Sequence, residues 1–598
     1  MQQCCPFSVL VINCLQIQEV LPASTAMYNV NDVQSRTDES LSPLIASPSN
    51  NRQQETEEPR TKFSLGETPS GATAAPENDS PLGDPFATRK LFWQNWVMAV
   101  FMGLLVGSFS FCFLSAVERS TETWYGSNED SSTYNGFPNN ALGYDVSGFG
   151  QGRIWWLAVT TAGGLLVGLF KLVTHFPQGE TASFFQEIKE MHVHPRNGLR
   201  VGGAGFLSLC SGASLGPEAP IGALGGAFGT WLGHRLGASF EQVEVYTLLG
   251  MASALGALFS SPVLAVILLL EIAPIHRSRY LEVGCLTYTA AAISFCAYYG
   301  MSTNSHTFLK PNLGPPVAGM YTMGWTLLYM IVAVPLGILA AIVGILLMMV
   351  RAISGKLVLR VQQAFGCVPR SPAALLITPM IGGLLLGAIY VFTPLAIGDG
   401  RVALGAIMND GYANHWKTVK GNTPASALAM FQQMYVTAQE DGWPNPSSSD
   451  RIYGIPLLIA TAFMKALAFG ISASTGFVGG FMFPSFFIGT AVGNIIAQLT
   501  GLNQSFACLA MLAAIPSSFS PLPLLFITLV VFGWACSAYQ SAAIFVAMVT
   551  ANWCVSGSGV FLRMQRKVAM PEWRDVPPSI RNPLSGNSTK SSDQEETY

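Results

Sequence analysis

The stretch Gly212-Ala213-Ser214-Leu215-Gly216-Pro217-Glu218-Ala219-Pro220-Ile221-Gly222 lies among apolar segments and carries a single carboxylate. Proline fixes φ near the helical value, and a first-turn position needs no N–H, so Pro217 and Pro220 predict a helix start here. Gly212, Gly216 and Gly222 allow close backbone approach. A helix start leaves its first amides unpaired. The stretch therefore predicts an anion site built of helix-end amides, with Glu218 able to occupy it.

The surrounding chain sets the medium for that site. Of its 598 residues, 50% are hydrophobic and only 11% are charged, where a soluble domain carries about 25% charged residues. This predicts a polytopic membrane protein. A net charge of -3 gives no reason to expect nucleic-acid binding. Many of the 59 glycines lie inside apolar segments, as where membrane helices pack closely or break. The 11 cysteines form no metal-like array, and His192-Val193-His194 is a close histidine pair in a short polar loop. Neither a metal, an organic cofactor nor enzymatic turnover is expected.

Residues 1–90 read as a polar tail: the apolar run from Phe7 to Leu15 is too short to span a bilayer, and 31–88 have a disordered composition. The first half of a membrane domain is expected over 91–300, a proline-containing linker over 301–321, the second half over 322–565, and a polar tail over 566–598. In the first half, spans are expected at about 92–117, 154–174 and 281–299, with a polar loop over 118–150. Between the last two lie shorter pieces, at about 198–211, 219–235, 246–259 and 262–274. Several fall below the roughly 20 residues needed to cross alone. They read as broken, re-entrant helices around a midplane site, buried in protein because their ends carry unpaired backbone groups. The second half opens with a long span at about 322–350, followed by a basic segment with Arg351, Lys356, Arg360 and Arg370. A span at about 373–393 and a polar stretch over 395–451 follow, then five more apolar pieces. The basic clusters after 350 and after 562 are expected on the cytoplasmic side.

The two halves echo each other. Gly216-Pro217-Glu218-Ala219-Pro220 and Gly480-Phe481-Met482-Phe483-Pro484 share the form G-x-x-x-P. Each follows a run of small residues and precedes an apolar, glycine-containing piece, which predicts an internal inverted repeat. Two half-helices would then aim their N-termini at one point, each with the positive end of its dipole. Neither motif contains Lys or Arg, so an ion could be held there and still leave.

At these residues the chain resembles the CLC family of chloride channels and anion/proton exchangers. Gly216-Pro217-Glu218-Ala219-Pro220 fits the hallmark G-[KR]-E-G-P as G-x-E-x-P, and Leu224-Gly225-Gly226-Ala227-Phe228-Gly229 keeps the family's spacing. A rival register, with Leu215 at the glutamate, throws those glycines out of step. Gly480 to Pro484 matches G-x-F-x-P, with Met482 at the usual Phe, and Phe259 to Glu271 resembles a third family segment. The family's G-S-G-I-P is missing. Its place falls near Gly179-Glu180-Thr181-Ala182-Ser183, where Thr181 or Ser183 could supply a hydroxyl. The family's anion-contacting Tyr also lacks a counterpart, since no Tyr lies between Tyr539 and Tyr598.

The resemblance implies an all-α polytopic membrane protein with a CLC-like inverted repeat. It implies bound chloride or another small anion held by Gly216, Ala219, Pro220, Gly480, Phe481, Met482 and Pro484, and Glu218 as the gate. It also implies voltage sensitivity and a homodimer in the lipid bilayer with one pore per subunit. The exchangers carry a second, proton-conducting glutamate directly after the one matching Glu271. Here that position is Ile272, which favours a channel. An exchanger using Glu218 alone is the alternative, and a non-transporting regulator on the same fold is a third reading. Glu271 itself is expected to be structural.

Overall fold

The protein is described by a computed structural model over residues 85–125, 154–176, 184–275, 279–301, 323–364, 371–408 and 453–556, the last without 521, 535 and 537. The linker over 301–321 beyond its first residue, the tail from 566, and most of the tail over 1–90 and of the polar stretch over 395–451 lie outside the described residues. Among those described, the structure is helical, and eight helices are long and apolar enough to cross a membrane. This is an integral, multi-pass membrane protein.

The chain opens with α1 (Pro85–Tyr125), α2 (Ile154–Val173) and the short α3 (Phe184–Glu190). The helix α1 runs past its apolar part into the expected loop. The hydroxyls of Ser120, Thr121 and Thr123 bond back to carbonyls four residues earlier, so these polar side chains find partners on the helix that carries them. Next come α4 (Pro195–Cys210), α5 (Glu218–Arg235), α6 (Phe240–Phe259), α7 (Pro262–Ile272) and α8 (Tyr280–Met301). The connecting region holds α9 (Met323–Ala364), α10 (Pro372–Phe392), a 3₁₀ turn at Pro394–Ala396 and α11 (Arg401–Met408). The basic segment after residue 350 is the end of α9, because its Leu, Lys, Arg and Gln are good helix formers. The second series is α12 (Ile455–Ser474), α13 (Met482–Thr500), α14 (Gln504–Phe519), α15 (Pro523–Trp534) and α16 (Ala538–Ser556).

The run α12 to α16 repeats α4 to α8. Glu218, which starts α5, and Met482, which starts α13, are 264 positions apart. The same offset relates Gly212 to Gly476, and both sit in the left-handed region, at φ 79° and 95°. Glycine is the residue that adopts this conformation without a Cβ clash, so each series ends its first helix with the same turn. The helix α7 has 11 residues and is about 16 Å long, half the roughly 30 Å of a bilayer core. Every residue of α14 is buried, so α14 is packed in protein all round rather than facing lipid. By contrast α9 exposes Leu327, Ile331, Ile338, Ile342, Leu346 and Ile353. The helices α2 and α10 run antiparallel with their backbones in close contact: Gly383 faces the Thr160 carbonyl and Gly164 faces that of Pro379.

Candidate anion site

The two motifs meet. Gly216 donates its N–H to the carbonyl of Gly480 at 2.9 Å, and Gly480 returns one to Gly216 at 2.7 Å, an antiparallel bridge between the two series. Each glycine stands two residues before its helix, so the bridge brings the starts of α5 and α13 together. Serines support the loops crosswise. Ser208 of α4 accepts the N–H of Val478 at 3.0 Å, and Ser472 of α12 accepts that of Ser214 at 3.1 Å. Each series therefore holds the loop of the other, and the 264-residue offset recurs in these serines.

The turns behind the motifs are fixed differently. Tyr125 donates to the Ser211 carbonyl at 2.7 Å, and Tyr390 to that of Gly212 at 2.6 Å. The Gly398 N–H also reaches the Gly212 carbonyl, at 3.3 Å. In the second series the matching carbonyl, Gly476, accepts from the ammonium of Lys171 on α2. That ammonium also lies 4.9 Å from the ring centroid of Phe176.

Glu218 is 2% exposed, and its Oε1 accepts the N–H of Met482 at 2.9 Å. A carboxylate from the first series thus sits on the first-turn amide of the second series' helix. The positive end of that helix dipole adds to the attraction. Oε2 is buried with no hydrogen-bond partner among the described residues. Space for the carboxylate comes from two missing side chains: a Cβ on Gly216 or on Gly480 would overlap it.

The other expected residues divide. Gly216, Glu218, Gly480 and Met482 come together at the bridge. Phe481 follows Gly480, and its ring packs 5.4 Å from Phe185 and 5.4 Å from Phe519. Pro484 is buried in the first turn of α13. Pro220 lies in the first turn of α5, where Gly205 of α4 closes on its ring, and Ala219 is half-buried beside it. Thr181 and Ser183 lie outside the described residues. Ile272 ends α7 and packs on the apolar core. Glu271, one residue earlier, accepts the N–H groups of Leu524 and Leu525, both at 3.1 Å. It therefore caps the start of α15, a structural use of a carboxylate.

The sequence reading passed over a third charged group near the motif. Lys465, on α12, is fully buried and donates to the carbonyls of Ala396 at 3.0 Å, Ile397 at 3.5 Å and Gly398 at 2.6 Å. Its ammonium lies 5.1 Å from the ring centroid of Phe487. The turn it clamps leads directly to Asp399 and Arg401, an ion pair at 2.6 Å. A lone lysine inside an apolar segment was the available signal.

With this geometry in place, comparison with known proteins agrees with it. The family model described as voltage gated chloride channel matches residues 154–556. A relative described as the putative ion-transport protein YfeO of Escherichia coli strain UMN026 is 27% identical over 357 residues, 58% of this chain and 68% of that protein. The putative chloride channel protein ClcB-like of Ralstonia nicotianae is 25% identical over 378 residues, 61% of this chain and 72% of the relative. Among solved structures, a slow cyanobacterial Cl-/H+ antiporter superposes with a TM-score of 0.56 at 17% identity, over 79% of this chain and 97% of that one. A CLC-type fluoride/proton antiporter gives 0.50 at 17% identity, with the same coverage. The fold is shared with these structures, and the match over most of the membrane region shows that this chain belongs to the voltage gated chloride channel, or CLC, family of anion transport proteins.

Proposed function

We propose that this protein is a chloride or small-anion channel in which Glu218 is the gate. The observation that carries the reading is the 2.9 Å hydrogen bond from the Met482 amide to the Glu218 carboxylate. An amide at a helix start that holds a carboxylate will hold a free anion by the same forces. Ionised Glu218 occupies the position, and protonated or displaced Glu218 leaves it to the anion. Binding by partial charges keeps the ion exchangeable. Ile272 offers no proton to an exchange cycle, which supports a passive channel. The subunit pairs into a homodimer with one pore each, as the resemblance to the family implies.

One observation favours exchange instead. Glu187 is buried on α3, a connecting helix outside the crossing segments, and α3 packs against both α5 and α7. Burial, with Glu190 adding, pushes its carboxyl up to about 8. Such a group carries a proton near neutral pH, and could serve where Ile272 cannot.

Reconstituted protein under a chloride gradient, with and without a pH gradient, separates these readings. A channel gives the chloride reversal potential in both conditions. A reversal potential that moves with the pH gradient excludes the pure channel, and its loss in Glu187→Gln assigns the proton route to that residue. No anion passage under any condition would leave the regulator reading.

A further inference from the structure

The loops that enter the two motifs are held at matching points. In the first loop the carbonyl of Gly212 accepts from Tyr390 at 2.6 Å, the N–H of Ser214 donates to Ser472 at 3.1 Å, and Gly216 pairs with Gly480. In the second, the carbonyl of Gly476 accepts from Lys171, the N–H of Val478 donates to Ser208 at 3.0 Å, and Gly480 pairs with Gly216. Each of these partners lies in the other half of the chain. The serine and backbone anchors are of one kind in both loops. The remaining anchor differs: a neutral phenol holds Gly212, and a charged ammonium holds Gly476.

A charge is not needed to hold such a turn, since Tyr390 does so with a hydroxyl. It is also costly here. Lys171 lies on the membrane-crossing helix α2, is 8% exposed, and makes no ion pair among the described residues. An ionisable side chain inside the membrane is expensive and marks function. What the charge adds is strength, because a hydrogen bond from an ionised donor is roughly twice as strong as a neutral one. The second loop has more freedom to restrain. It contains Gly476, Gly479 and Gly480 where the first contains Gly212 and Gly216, and glycine loses the most conformational freedom on ordering. It also leads into Met482, whose amide receives the Glu218 carboxylate. Phe176, just beyond α2, adds a second hold: its ring faces the Lys171 ammonium, and its apolar cluster packs against Val478.

Resting on the reading of the Met482 amide as an anion site gated by Glu218, we propose that Lys171 is a positioning residue for anion selectivity. Acting through the Gly476 carbonyl, its charge fixes the second loop and with it the direction of the amides at the start of α13. A site held in one geometry favours an ion of matching size, and a loosened one admits larger ions.

The test measures bi-ionic reversal potentials on the full chain in planar bilayers, with chloride on one side and the larger thiocyanate on the other. Lys171→Met is expected to raise the permeability of thiocyanate relative to chloride about threefold, within the range that residues touching neither ligand contribute. Lys171→Arg, which keeps the charge and the donor, should return most of the wild-type ratio. A clamp that served only the fold would lower the yield and melting temperature of the variant and leave the ratio of its surviving channels at the wild-type value. A conducting Lys171→Met with the wild-type ratio therefore overturns the proposal and leaves the Glu218 gate standing. Wild type that passes no anion overturns both. Should Lys171→Met fail to fold, Lys171→Gln decides, since it keeps a neutral donor: a raised ratio upholds the proposal, and an unchanged or lowered one rejects it.

Discussion

Glu218 has one oxygen on the Met482 amide and the other buried without a partner among the described residues. A hydrogen bond to an ionised group contributes about 1.5–3 kcal/mol, and an unpaired buried polar atom costs about 1–3 kcal/mol. The two are of similar size, so the carboxylate is held but replaceable. Protonation discharges it and weakens its hold on the amide, so wild-type current should rise as pH falls. In Glu218→Gln the current should be independent of pH, and at neutral pH the open fraction should rise about tenfold or more, the equivalent of that hydrogen bond. A retained pH dependence in single-channel or macroscopic recordings counts against the gate. Gly480→Ala should have a related effect by another cause, since its Cβ would overlap the carboxylate and evict it. Its current should lose acid activation while Glu218 remains ionisable, and recordings that still show wild-type acid activation would refute this. Much of this site was legible in the sequence: glycine and proline spacing marks helix starts, and a lone carboxylate among them stands out. Lys465 and the Asp399–Arg401 pair were not, because their partners lie in other elements, Lys465 bonding to backbone 67 to 69 residues away.

At the scale of elements, the apolar piece at 262–274 reads as a broken helix and is one, α7 having 11 residues, whereas the piece at 246–259 belongs to α6, whose 20 residues are long enough to cross. Their ends were harder. Ser120, Thr121 and Thr123 lie within α1 with their hydroxyls bonded to its own carbonyls, and the polar end of α9 stays helical on propensity. Polarity therefore marked where apolar surface stops, not where helix stops. Lys465 shows what joins the elements: one ammonium of α12 meets three successive carbonyls of the 3₁₀ turn and its exit. Lys465→Met keeps the volume and leaves those carbonyls unpaired. A buried carbonyl left without its partner costs about 1–3 kcal/mol. The variant is expected to unfold at a clearly lower temperature in detergent, by differential scanning fluorimetry. A wild-type melting temperature would mean that the turn does not depend on the clamp.

At the scale of the whole molecule, neither series completes the site alone. Ser208 and Ser472 each hold the other series' loop, and the Gly216–Gly480 bridge takes one strand from each. A fragment ending near residue 310 should therefore be degraded or aggregate when expressed singly, and should be rescued by co-expression with the remainder. Stable, monodisperse first-half fragment by size-exclusion chromatography would contradict this. The 264 positions between Glu218 and Met482 also act as a clock. At synthesis rates of 5–20 residues per second, roughly 13–53 s pass between the appearance of the two. Through that interval the nascent chain holds a carboxylate and a bare loop inside the bilayer with no partner yet made. Biogenesis must shelter them, and a pause or slow codon between residues 218 and 482 would lengthen the exposure of the carboxylate proposed as the gate.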